Sequence, residues 1–242
     1  MPALLYLLRC FSTRLAGMSE SIDVSTLVGP DEPGIRLIEV STLSGSATID
    51  GTSDAMGNDN DAALFAALRE WADVAVVGSG TVKAEDYEGS SPGKARIAVM
   101  SNSLDLDVES KLFNVGTPPI ILTPDENLGT TAAKRLEEAG ATLLGTGDGT
   151  IPSVVEALRA KGWSRISCEG GPGIYSLFIA AGMVDKLYLT LDPHLSPSVS
   201  QPLVHAPDEA TANAQPLSLS LESVIPDADG TVFLRYAVVD AP

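Results

Sequence analysis

A carboxylate stands against two glycines and a proline in the stretch CEGGPGIYS, from Cys168 to Ser176. The residues before it, SRIS, are β-rich, and Pro172 suits the first turn of a helix, so a strand runs here into a helix. Backbone N–H groups at such a helix start are free to bind phosphate oxygens, and glycines permit the close approach. A second corner of this kind lies in VAVVGSGTVKAEDY, where Gly78 and Gly80 follow an apolar run. A dinucleotide fingerprint asks for a third glycine at position 83, which is Lys83. Taken singly, each corner is also what an ordinary strand-to-helix turn looks like. Two of them at the carboxyl ends of parallel strands mark the crevice in which open α/β sheets bind ligands, and the combination points to a dinucleotide.

Other chemistries are excluded by what is missing. The pattern GxxxxGK[ST] is absent, so the phosphate site is not a P-loop, and neither HxE nor PCxxC occurs, which rules out a zinc-dependent base deaminase. His194 and His205 are the only histidines, and their spacing fits no zinc or iron site. Ser53 in GTSDA comes near a nucleophile elbow, yet no long helix follows it directly. Cys168 reads as a small buried residue rather than a nucleophile. The formal net charge of -17, from 32 acidic and 15 basic residues, repels nucleic acid and anionic membranes. Aromatic residues at 5% argue against a base-stacking surface. A local pocket for a small phosphorylated ligand is compatible with that charge, because salt screens it over about 8 Å. Two cysteines, Cys10 and Cys168, form no disulfide framework, and a reduced, metal-free, cytoplasmic protein is the expectation.

The positioning elements follow from periodicity. RLIEVST is a strand, and NDNDAALFAALREWAD is a helix capped by Asn58 or Asp59, with Ala62, Leu64, Phe65, Leu68 and Trp71 at helical spacing. VAVVG, RIAVM and PIILT are continuous apolar strands of the kind buried on both faces. A helix is expected from Leu128 to Ala139, ended by Gly140, then the strand ATLLG, then a helix from Ile151 to Lys161 closed by Gly162. After the opening corner, Gly182 ends a helix and KLYLTLDP is a strand. LSLSLESVIP and TVFLRYAVV then form an antiparallel hairpin across an Asp-Ala-Asp-Gly turn. The fold class is α/β, one domain with a mainly parallel central sheet, helices on both faces and a C-terminal antiparallel hairpin. Residues 1–34 are expected to be a tail or an upstream start, because the apolar run Ala3 to Leu8 is short and Met18 opens an ordinary acidic sequence. A mitochondrial-type presequence with Arg9 and Arg14 is the alternative. Residues 35–242 are the domain, and no stretch is long enough to span a membrane.

The segment EGGPGIYSLFIAAGMVDKLYLTLDP resembles the signature of the riboflavin-biosynthesis pyrimidine reductases. VVGSGTVKAEDY is similar to that family's second motif, STLSGSATIDGTS to its first, and ALREWAD to a helix whose arginine precedes an alanine–aspartate pair; the motifs keep their order over about residues 36 to 238. The resemblance implies a dihydrofolate-reductase-like fold and a stand-alone reductase without the deaminase half. It implies NADPH as cofactor (NADH being possible) and a homodimer. The reaction implied is reduction of the ribosyl group of 5-amino-6-(5-phosphoribosylamino)uracil to ribityl. It further implies that Gly170, Gly171, Pro172, Gly173, Ile174, Tyr175 and Ser176 hold the cofactor pyrophosphate. Thr81 and Glu85 would line the cofactor, and Ser101 would offer it a hydroxyl. Ser53 and Arg69 would bind substrate, with Arg69 on its phosphate, and Glu169 would accept hydrogen bonds from the pyrimidine ring.

Read without the resemblance, Arg69 is a solvent-facing salt-bridge residue, Glu85 a solvated acid and Ser53 a turn residue. The chain also departs from the family. Ser44 replaces an aspartate, and Met100 and Ser103 stand where relatives carry basic residues. A phosphate-binding arginine is missing around Ser91, Pro92 and Gly93, with Lys94 and Arg96 as candidate substitutes. A reductase of another small carbonyl, imine or pterin-like substrate is therefore an alternative, as is a nucleotide-binding protein without reductase activity.

Overall fold

Val74 to Gly78 is buried at every position and has a strand on each side, so it can sit only inside a sheet. The computed structural model describes residues 22–91 and 93–239 and places this strand near the middle of a nine-stranded sheet. In chain order the elements are α1 (Val24–Val28), β1 (Gly34–Thr42), α2 (Asp59–Trp71), β2 (Val74–Gly78), α3 (Ser79–Ala84), β3 (Arg96–Met100), α4 (Lys111–Asn114) and β4 (Ile120–Thr123). They continue with α5 (Thr131–Glu138), β5 (Thr142–Gly145), α6 (Ile151–Ala160), β6 (Arg165–Gly170), α7 (Pro172–Ala180), β7 (Lys186–Asp192), α8 (Glu209–Ala212), β8 (Ser218–Pro226) and β9 (Val232–Val239). The spatial order is β5-β4-β3-β2-β6-β1-β7-β9-β8. All pairs from β5 across to β7 are parallel, and β7–β9 and β9–β8 are antiparallel.

The alternation of β2 divides the core. Val74 and Val76 pack with Ile35, Leu37, Val154, Leu158 and Phe178 on the face covered by α6 and α7. Ala75 and Val77 pack with Ile97, Val99, Leu112 and Leu136 under α4 and α5. A third cluster, with Leu27, Ile38, Leu64, Leu68, Tyr188 and Phe233, seats α1 and α2 on β1, β7 and β9. Helices on both faces and a closing hairpin are as expected from the alternation of strand and helix patterns.

Two aspartates set the register around the site. Asp73, just after α2, accepts the N–H groups of Ser164 and Arg165 through Oδ2, at 2.8 Å each, and so aligns β2 with β6. Asp185 accepts the N–H of Ile35 at 2.7 Å and aligns β1 beside β7. Asn58 caps α2, accepting from Asn60 and Asp61, as its position ahead of an apolar-periodic run suggests.

Some elements differ from the sequence expectation. The helix expected from Leu128 begins only at Thr131. A 3₁₀ turn at Asp125–Asn127 and Gly129, at φ +76°, precede it, and the Thr130 hydroxyl caps it by accepting from Ala133. The exit from β2 is a six-residue helix, α3, rather than a bare turn. Of the stretch 1–34, residues 1–21 lie outside the described residues. Residues 22–33 belong to the packed structure, since Leu27 is buried in the third cluster and Ile22 packs against it.

Arg36 explains that attachment. It is buried on β1, with its guanidinium carbon 3.7 Å from the centroid of the Trp71 ring. Its Nη2 donates to the carbonyls of Pro30 (2.5 Å) and Glu32 (3.3 Å), and its Nη1 donates to that of Val28 (3.4 Å). A buried cation is tolerable here because carbonyls and an aromatic face surround it. Arg36→Met keeps the volume but strips these contacts, and urea denaturation is expected to show a loss of about 3 kcal/mol.

Candidate active site

Because β2 and β6 are adjacent, with Val77 opposite Gly170, the two glycine corners meet. A Cβ built on Gly171 would lie 2.6 Å from Thr81 Oγ1, so only a glycine lets α7 start this close to α3. Gly170 has φ +89°, and a Cβ there would fall 2.6 Å from the Tyr175 ring. The Gly170–Gly171 peptide is cis. Gly80 has open space where its side chain would be, and no side chain caps the N-terminus of α7. The corners thus form a backbone cradle between two helix starts.

Beside the cradle opens a cavity of about 780 Å³, walled by β1, α2, α3 and the loop after it, and the end of β6. Leu64 and Leu68 point from α2 into the core, while Phe65 and Arg69, one residue on, face the cavity. Arg69 Nε and Nη2 donate to Glu169 Oε1 and Oε2, at 2.7 Å each, in a two-pronged pair. The Tyr87 hydroxyl donates to Glu169 Oε2 at 2.9 Å. The guanidinium carbon of Arg69 is 4.4 Å from the Phe65 ring centroid and 5.4 Å from that of Tyr87. Burial works against the charge of Arg69, but the hydrogen bond and charge of Glu169 outweigh it and raise its pKa. Burial, then the charge of Glu169, push the Tyr87 hydroxyl well above its ordinary value.

At the opposite wall Ser53 donates to Glu85 twice, from its N–H to Oε1 (3.0 Å) and from its hydroxyl to Oε2 (3.1 Å). This pair joins the loop after β1 to the end of α3. Asp61, in the first turn of α2, accepts from the Thr190 hydroxyl at 2.5 Å, and burial raises its pKa. Lys94 pairs with Glu70. Among the described residues, Arg69 and Lys94 are the bases that line the cavity, and both are tied to carboxylates.

Ser53, Arg69, Thr81, Glu85, Glu169, Gly171, Pro172 and Tyr175 therefore come together at one cavity, and Gly170 shapes it by admitting Tyr175. Ile174 instead packs on Gly78, where a Cβ would meet it at 2.8 Å. Ser176 donates its hydroxyl to the Pro172 carbonyl at 3.0 Å, and Gly173 lies outside the cavity lining. Ser101 also lies outside: its hydroxyl accepts from Leu104 N–H at 3.1 Å and holds the turn after β3. Arg96 does not replace the missing arginine, because its Nη2 donates to the Pro118 carbonyl at 2.9 Å, away from the cavity. Arg69 is not the solvent-facing residue of a plain helix reading, and its partner is Glu169 rather than a free anion. Sequence reasoning passed over Tyr87 and Glu39. Tyr87 stands inside a quoted motif, and Glu39 was visible as a lone acid in an apolar strand.

The architecture is that of a single α/β domain of the dihydrofolate-reductase-like class. Dihydrofolate reductase of Enterococcus faecalis, complexed with NADP(H) and RAB-propyl, overlays with a TM-score of 0.52 at 12% identity, covering 86% of this chain and 97% of that one. The model of the RibD C-terminal domain matches residues 38–232, and the chain belongs to that family. A pyrimidine reductase-like protein of Corynebacterium diphtheriae is 28% identical, with a TM-score of 0.76 over 93% of this chain and 98% of its own. The riboflavin biosynthesis protein RibD of Aquifex aeolicus is 24% identical over 181 residues, which are 72% of this chain. The chain spans about half the length of that curated relative (50%).

Removing Arg69 would leave Glu169 buried with one partner. Arg69→Ala is expected to cost about 2 kcal/mol by chemical denaturation. That is below the loss of roughly 3–5 kcal/mol for a fully buried pair, because Arg69 is partly open to solvent. Tyr87 supplies a pH signature. Its folded pKa is raised, so its contribution to stability is complete below the unfolded tyrosine value of about 10 and declines as pH rises beyond it. The fall in unfolding free energy above that pH should be shallower in Tyr87→Phe than in the parent protein.

Proposed function

We propose that the protein is a nicotinamide-dependent reductase, with NADPH as the leading cofactor and NADH possible. The observation that carries this is the meeting of the Gly170–Gly171 and Gly78–Gly80 corners beside one cavity. Backbone amides at two neighbouring helix starts suit a diphosphate, and the missing side chains leave it room. When bound, the nicotinamide would supply hydride, and the protein's part is alignment and electrostatics. That fits a site whose polar groups are arranged for binding rather than for covalent attack. Cys168 agrees, since burial holds its thiol protonated.

The leading substrate is the phosphoribosylamino-uracil of riboflavin biosynthesis, in its open imine form. In this reading Glu169 meets the pyrimidine, Ser53 and Arg69 bind the substrate with Arg69 toward its phosphate, and Glu85 lines the cofactor. A second reading has a specific observation in its favour. With Arg69 on Glu169 and Lys94 on Glu70, neither cavity base is free for a phosphate, which suits a small carbonyl, imine or pterin-like substrate without one. A nucleotide-binding protein without reductase activity is the third reading.

A homodimer joined through the hairpin belongs to the same proposal. Leu219, Leu221 and Val224 on the edge strand β8 are about half exposed, an apolar row suited to a second copy. The protein is proposed to work in the cytoplasm, and among the described residues no helix is long and apolar enough to cross a membrane.

Mixing the purified protein with NADPH and the pyrimidine phosphate should consume absorbance at the nicotinamide band. Cofactor binding without turnover would reject this substrate and keep the reductase class; no binding of either coenzyme by calorimetry would reject the class. In sedimentation, Leu221→Glu should shift a dimer toward monomer.

A further inference from the structure

Every buried or half-buried carboxylate at the base of the cavity has a protein partner except one. Glu169 is held by Arg69 and Tyr87, Glu85 by Ser53, and Asp61 by Thr190. Glu39 lines the same cavity from β1 and has no hydrogen bond or ion pair among the described residues. Its strand neighbours are Ile38 and Val40, and Leu189 lies opposite it on β7. The titratable groups facing it are the Cys168 thiol from β6 and the Tyr175 phenol from α7, whose pKa values burial raises first and the charge of Glu39 raises further. Neither offers Glu39 a countercharge. Of the two bases that line the cavity, Arg69 is taken by Glu169 and Lys94 by Glu70.

An acid left alone in this way is costly as an anion and comfortable as a neutral carboxyl. Reduction of a C=N or C=O bond consumes a proton as well as a hydride. The other groups with a proton at this wall are engaged: the Tyr175 hydroxyl donates to the Ile38 carbonyl, and the Tyr87 hydroxyl donates to Glu169. The Cys168 thiol is fully buried.

We propose that Glu39 is the acid that supplies the proton of the reduction, an inference that rests on the reductase reading above. The reacting carbon gains a C–H bond from the hydride of a reduced nicotinamide coenzyme, which leaves oxidised by two electrons. The π pair of the C=N or C=O bond moves to the heteroatom, which takes the proton from the Glu39 carboxyl. Glu39 is left as a carboxylate, and water entering through the cavity mouth reprotonates it. Burial supports the assignment by keeping the carboxyl protonated well above the usual carboxylate range.

The test has two arms. In the protein without cofactor, side-chain carboxyl NMR of glutamate-labelled material should show one resonance titrating far above the others. That resonance should be absent in Glu39→Gln. In turnover with saturating coenzyme and a deuterated-hydride isotope effect confirming that chemistry limits the rate, kcat should fall as pH rises through the titration. Glu39→Gln should lose that limb and at least tenfold in kcat, with unchanged coenzyme affinity, and Glu39→Asp should restore part of the rate together with a pH limb. A Glu39 resonance in the ordinary carboxylate range overturns the proposal, and so does a Glu39→Gln enzyme with parental kcat and pH profile. A parent protein that binds neither coenzyme refutes the reductase reading itself, an outcome the NMR arm does not share.

Discussion

The pairing of β2 with β6 is the constraint on which the site depends. Asp73 fixes where the two strands start, by holding the amides of Ser164 and Arg165, and the parallel pairing, with a bulge that brings Val77 opposite Gly170, then sets Gly78 beside that corner. From there two helices must leave the sheet side by side. Glycines make that geometry possible, because a methyl group on Gly171 would strike Thr81 and one on Gly170 would strike Tyr175. The same register delivers Glu169 to the cavity floor, where Arg69 reaches it from α2. Cradle and cavity are therefore products of a single strand alignment.

Electrostatics gives the cavity its character. Its charged groups are mostly acidic, in keeping with the net charge of -17, and apart from Glu39 the buried or half-buried ones are satisfied by local partners rather than by an excess of bases. Arg69 is held between a carboxylate and two aromatic rings, a setting that keeps a guanidinium charged despite burial. Ser53 and Glu85 tie the loop after β1 to α3, so the wall that faces Glu169 is itself hydrogen-bonded in place.

Much of this was legible in the sequence, for reasons that differ by element. Continuous apolar runs such as VAVVG and RIAVM can only be strands covered on both faces, and that is where they sit. The helix of Arg69 announced itself by its spacing and by Asn58. The hairpin was marked by its Asp-Ala-Asp-Gly turn, in which Asp227 and Thr231 are bonded across. What stayed hidden were pairings between distant residues. Nothing local says that Arg69 meets Glu169, or that the Ser101 hydroxyl accepts from Leu104 in the turn after β3. The packing of residues 22–33 was hidden likewise, because it depends on Arg36 donating backward to carbonyls that carry no sequence signature.

The place of β1 in the sheet has a bearing on how the chain assembles. Synthesised first among the strands, it lies between β6 and β7, near the centre. As the polypeptide leaves the ribosome, residues 34–42 have no lateral neighbour until the segment reaching Gly170 has emerged, and gain the second only with the segment reaching Asp192. Contacts of such sequence separation slow the search for the native state. Folding of this domain should therefore wait until most of its residues have been synthesised, an interval in which the apolar segment of β1 stays open to chaperones.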